Sequence, residues 1–293
     1  MLYRLRTEKA VMKKKLPILF AIILFTAGFV SADTDKLSRE YLTRERCFSP
    51  LKPVQEAAIE HVIKNAMTQK TGGNYKVRYK GYTPKSMKAG IFKEIRITGK
   101  DVVIENINIP CICIKSLSDY NYIDYTKDPI EIKSDMSCSY DLTLSEESLK
   151  NALEQKEYQK IIDKVNEIAY PMFRINSVDT KIKDNRVFIL MGYYLPAVKF
   201  SKNRLFTISS RFKVNDGRIE ASDIKTDRAY GRISVNKVAN LINLLSPIEY
   251  TVSLLNKQKF DISIENIDIV DNQIKINGKI NAAADNTKER IKS

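Results

Sequence analysis

Three segments of this chain set an Asx-led dipeptide between alternating, β-branched flanks, and no other feature restricts the fold so tightly. They are residues 180–189 around Asp184-Asn185, residues 212–220 around Asp216-Gly217 and residues 267–276 around Asp271-Asn272. Asp, Asn and Gly tolerate the positive φ that a two-residue hairpin turn demands, so each segment predicts two antiparallel strands. The flanking runs are about ten residues long, at the upper end of ordinary strand length. Tyr75, Val77 and Tyr79 alternate with Lys76, Arg78 and Lys80, adding a strand with one wet face. The expected class is α+β, with a long, strongly twisted antiparallel β-sheet wrapped around one or two helices.

Helical signals are fewer. Residues 53–70 place Pro53 in a first turn and Val54, Ala57, Ala58, Val62 and Met67 near helical spacing, and Gly72-Gly73 follows as a stop. Ser145 is positioned to cap a helix with Glu146 and Glu147 in its first turn and Leu149, Ala152 and Leu153 on its apolar side. A continuation carries Ile161, Ile162, Val165 and Ile168 as far as Pro171. A further amphipathic stretch starts near Ser234 and puts Val238, Leu241, Ile242 and Leu245 on one face before Ser246-Pro247. Such stripes more often serve core packing than ligand contact.

The first 32 residues have the layout of an export signal: Lys13 to Lys15, an apolar run over residues 16–30, and the small-residue site Val30-Ser31-Ala32. The apolar run is shorter than the roughly 20 residues of a spanning helix and contains Pro17 and Gly28, which favours cleavage over anchoring. Residues 33–73 then form an N-terminal helical segment, residues 74–282 one β-rich domain and residues 283–293 a polar tail. Without the six basic residues and one acid of the signal, 43 Lys and Arg remain against 34 Asp and Glu, a net charge of +9. For an exported chain the matching polyanion is an anionic membrane surface rather than nucleic acid. Cys47, Cys111, Cys113 and Cys138 would meet an oxidising compartment there. Cys111 and Cys113 share one strand face and are badly placed to bridge each other, leaving either buried thiols or a bridge from that pair to Cys138.

The residues of enzyme chemistry are scarce. His61 is the only histidine and lies in the amphipathic 53–70 segment, so it reads as a helix-surface residue rather than a general base or metal ligand. Neither a Gly-x-Ser-x-Gly elbow nor a Gly-x-x-x-x-Gly-Lys-Ser/Thr loop is present. No catalytic residue, metal ligand or cofactor is therefore expected, and a carboxylate hydrolase ranks last among the readings. Apolar strand surface, by contrast, is in excess. Residues 187–195 are apolar at both parities, so each face of that strand needs cover from helices, a second sheet, a partner or an apolar ligand. Phe206, Ile208 and Phe212, and later Phe260, Ile262 and Ile264, repeat the demand less purely. A lipid groove and a dry core both satisfy it.

The run from Arg78-Tyr79-Lys80-Gly81-Tyr82 through Ala89-Gly90-Ile91-Phe92-Lys93-Glu94-Ile95-Arg96-Ile97-Thr98-Gly99-Lys100 resembles the opening of the LmeA-like phospholipid-binding family. Tyr122-Ile123-Asp124-Tyr125, the helix start at Ser145-Glu146-Glu147, the hairpins, Asn243-Leu244-Leu245-Ser246-Pro247 and Ile274-Lys275-Ile276-Asn277-Gly278 follow in that family's order, over residues 74–280. The resemblance implies a tubular lipid-binding (TULIP-like) architecture and a non-enzymatic lipid-binding or lipid-transfer role outside the cytoplasmic membrane, peripheral to it. The groove walls expected are Val187, Ile189, Met191, Tyr193, Phe206, Ile208 and Phe212, with Leu241 and Leu245 from the amphipathic stretch. The ligand would be a phospholipid or other acyl lipid, and exposed sheet edges allow homo-oligomers. The competing reading is an extracytoplasmic scaffold or adhesion module without a lipid. Membrane docking is expected at residues 76–100, where eight basic residues face the single acid Glu94, through Lys80, Tyr82, Lys85, Met87 and Lys88.

Overall fold

Each of the three turns closes a hairpin in the computed structural model, which describes residues 38–44, 49–124, 131–199, 202–226, 246–255 and 261–284. Asp184 and Asn185 (φ 53° and 55°) join β7 (Arg174–Lys183) to β8 (Arg186–Tyr194). Asp216 and Gly217 join β9 (Arg204–Asn215) to β10 (Arg218–Thr226), and Asp271 and Asn272 join β11 (Asp261–Val270) to β12 (Gln273–Ala282), again with positive φ. A fourth hairpin of this kind turns at Glu105-Asn106 between β2 (Ile91–Ile104) and β3 (Ile107–Ser116). The export signal, Cys47, the stretch holding Leu241 and Leu245, and the tail beyond residue 284 lie outside the described residues.

The strands form two antiparallel sheets rather than the single one expected. With β1 (Asn74–Gly81), β4 (Asn121–Asp124), β5 (Glu131–Ile132) and β6 (Met136–Leu144), the larger runs β11-β12-β6-β3-β2-β4-β5, and β1 pairs with β2. The smaller runs β10-β9-β8-β7, and β11 packs beside β9 and β10, so the sheets adjoin. Helix α4 (Glu146–Leu153) lies between them, touching β3 on one side and β7 on the other, with α6 (Pro247–Leu255) beside it. Ser145 caps α4 as expected, its hydroxyl accepting from Ser148 N–H while the Ser148 hydroxyl accepts from Ser145 N–H. The apolar continuation is a separate helix, α5 (Lys156–Ala169). It buries Ile162 and Val165, but Ile168 is exposed, contrary to its predicted place on the buried stripe. One apolar cluster takes in both sheets and the helices between them.

The N-terminal helix forms as α2 (Lys52–Thr71), after α1 (Arg39–Arg44), yet it buries Ile63, Met67 and Thr71 while Val54, Ala57 and Ala58 face solvent. It covers a sheet edge more than the core. Glu60 Oε1 accepts from Tyr79 N–H at 2.8 Å, and Glu56 Oε1 accepts from Gly81 N–H at 2.8 Å, on the side of β1 that no strand pairs among the described residues. An unpaired edge is a template for aggregation, and here helix carboxylates occupy two of its donors. Glu56→Ala with Glu60→Ala should lower stability by about 2 kcal/mol, near 1 per lost hydrogen bond, and promote self-association. Thermal unfolding combined with light scattering would check this; an unchanged midpoint and a monodisperse variant would refute the edge role.

Of the two cysteine alternatives, free thiols or a bridge to Cys138, the structure has the unbridged one, with only Cys138 buried. Cys138 points into the core from β6, whereas Cys111 and Cys113 pair with Thr143 and Asp141 on the opposite face of the sheet. All three are free thiols, and burial pushes the Cys138 thiol up to about 12.

Candidate functional site

The expected wall residues converge. Ile189 pairs with Ile208, Met191 with Phe206, and Val187 with Ser210, so two stretches of sequence supply adjacent columns on one face of the smaller sheet. Phe212 continues the β9 column and Tyr193 ends the β8 column. That face turns inward: Val187, Ile189, Met191, Phe206, Ile208 and Phe212 are buried and Tyr193 is half-buried. The outward parity of β8, Phe188, Leu190 and Tyr194, is only half-buried, so the second face lacks the full cover that its composition called for.

The interior is almost free of charge. Among the described residues the only buried charged side chain is Arg186, which has the outward parity of β8 and is held by Asp223 and by Ser209, whose Oγ accepts from Nε at 3.2 Å. Two hydroxyls interrupt the inward face. Thr180 is the cross-strand partner of Ile189 and Ser210 that of Val187; both are buried, and neither Oγ has a hydrogen-bond partner among the described residues. On β6 of the facing sheet, Tyr140 is also buried with an unpartnered hydroxyl, and desolvation raises its phenol to about 12. Buried hydroxyls ordinarily find partners, so each of these three is a donor left open among the described residues. Sequence alternation gives no signal for Thr180 and Ser210 as site residues, because it marks which face a hydroxyl lies on and not whether it is satisfied.

No family model matches the chain, and neither a curated protein nor a solved structure does. His61 is exposed, with Nε2 2.9 Å from Asn65 Nδ2 one helical turn away. Among the described residues no group of His, Cys, Asp and Glu is arranged to hold a metal ion, and no helix is long and apolar enough to cross a membrane. A polar depression between Arg39 and Asp135 is spanned by the Arg39–Asp119 ion pair at 2.8 Å.

The expected docking segment is built differently from its sequence reading. Thr83 and Ser86 cap each other reciprocally and start the short helix α3 (Pro84–Lys88). This turn drives Met87 into the core against Gly81, where a Cβ would collide with the methionine Cγ and Sδ. Met87 is thus removed from any headgroup layer. Tyr82 is half-buried, its hydroxyl donating to the Asp119 carbonyl, and Lys80 Nζ lies 3.1 Å from Glu94 Oε2. Lys85 and Lys88 remain exposed.

Proposed function

We propose that the chain is an exported, non-enzymatic phospholipid-binding or lipid-transfer protein of tubular, LmeA-like architecture, holding an acyl chain against the inward face of β8 and β9. The observation that carries the reading is that face itself: apolar columns from two sequence stretches, with no buried charge on it and two hydroxyls that have no partner among the described residues. Apolar side chains provide affinity of about 0.8 kcal/mol per buried CH₂, and a hydroxyl donor beside them suits an ester carbonyl.

The hydroxyls give a test that separates binding from folding. Removing an unpaired buried hydroxyl relieves a desolvation cost, so Thr180→Val with Ser210→Ala should be as stable as the parent or about 1 kcal/mol more stable. The same double variant should retain less phospholipid after incubation with vesicles and repurification, quantified by mass spectrometry of a solvent extract. Equal retention would remove the hydroxyls from the site. A second reading, an extracytoplasmic scaffold or adhesion module, is favoured by one observation: protein atoms already bury six of the seven described wall residues. It predicts that an apolar fluorescent probe finds no saturable site that phospholipid can clear.

A further inference from the structure

Exposed apolar side chains gather at one end of the smaller sheet. There β7 begins, β8 ends and β9 begins, since Arg174 pairs with Tyr194 and Tyr193 with Arg204. Of the eleven exposed large hydrophobic residues among those described, five belong to this end: Ile168 (82% exposed), Met172 (69%), Tyr170 (67%), Leu205 (62%) and Val198 (48%). They come from three separate places, the last turn of α5, its link into β7, and the β8–β9 connection with the first residues of β9. Singly exposed apolar residues are ordinary, but such a concentration marks an interaction surface.

The end is held in place by hydrogen bonds. The Asn166 amide bonds both backbone groups of Ile175, donating to its carbonyl at 2.9 Å and accepting from its N–H at 2.7 Å. Asn176 donates to Asn203 at 3.0 Å, tying the α5–β7 side to the β8–β9 connection. Met172 N–H donates to the Ala169 carbonyl at 2.8 Å, and Val198 N–H to that of Leu195 at 3.0 Å.

The charge around these residues is predominantly positive. Arg174, Lys199, Lys202 and Arg204 are exposed, and across residues 164–178 and 185–215 the only acid is Glu167. Tyrosine and methionine side chains beside snorkelling lysines and arginines match the layered chemistry of a bilayer interface, apolar below and anionic above. We propose that this end of the sheet, rather than the 76–100 segment, is where the protein docks on anionic membranes. The inference concerns the outer surface and does not depend on whether an acyl chain occupies the interior.

The test uses the chain from Asp33 onward, which holds every described element, with vesicles of three parts phosphatidylcholine to one part phosphatidylserine. Tyr170→Ser with Met172→Ser should lower co-sedimentation at least about tenfold, and Lys199→Glu with Lys202→Glu should do the same at low salt. Because these side chains are exposed, both variants should keep the parent's thermal midpoint and its content of extractable lipid. Lys85→Glu with Lys88→Glu should bind like the parent. Parent-like binding by the tip variants, loss of binding in the Lys85/Lys88 variant alone, or a parent that ignores these vesicles would each overturn the inference. Absence of extractable lipid in a parent that still docks would instead count against the interior site.

Discussion

Gly278→Val should cost about 3 kcal/mol or more and leave little folded protein at physiological temperature. Gly278 sits in β12 between two partners, opposite Tyr140 on β6 and Ile264 on β11. A Cβ there would fall inside the van der Waals shell of the Ser263 backbone oxygen and 2.9 Å from the Tyr140 ring. A backbone atom cannot rotate away as a side chain can. Relief would require breaking the β11–β12 pairing at the bulge between Ile264 and Asn266, or moving a tyrosine packed in the shared core. Urea titration measures the effect, and a variant with the parent's midpoint would mean that β11 is not seated as described.

Leu149→Ala should be nearly as damaging, about 3 kcal/mol within a range of roughly 2–5 for buried leucines. Leu149 is fully buried on α4, the helix that touches β3 of one sheet and β7 of the other. The cavity would therefore open where the two sheets share a core, and both should loosen together. Near-ultraviolet and far-ultraviolet circular dichroism should follow one coincident transition at a lower denaturant concentration. Two separated transitions would show that the sheets fold as independent units.

The parts of this architecture legible in the sequence are those set by neighbouring residues. Asp184-Asn185, Asp216-Gly217 and Asp271-Asn272 mark hairpins because their side chains make positive φ tolerable, a property visible without any tertiary context. Glu105-Asn106 makes the same kind of turn with a glutamate that gives no such signal. Ser246-Pro247 reads as a helix end, whereas Pro247 opens α6; proline suits a first helical turn as well as the residues after a last one, and only the neighbours decide.

Alternation also identified which wall residues share a face, and cross-strand pairing of β8 with β9 brings them side by side. What covers a face is a tertiary matter. Periodicity puts Ile168 on a buried stripe, but in the last turn of α5 only Ala169 stays buried and Ile168 points outward. Composition put Met87 among interfacial lysines, but a one-turn helix rolls it against Gly81. The break between the two sheets leaves no local mark either, since it depends on where α4 wedges between β3 and β7.

The proposed lipid site is the face of Val187, Ile189, Met191, Phe206, Ile208 and Phe212. The most direct measurement is native mass spectrometry of the purified protein, followed by solvent extraction and lipid analysis of the same sample, before and after incubation with phospholipid vesicles. An acyl chain held there gives a discrete adduct of phospholipid mass at about one lipid per chain, lost on extraction and regained on incubation. A protein that leaves both steps at the bare polypeptide mass would contradict it.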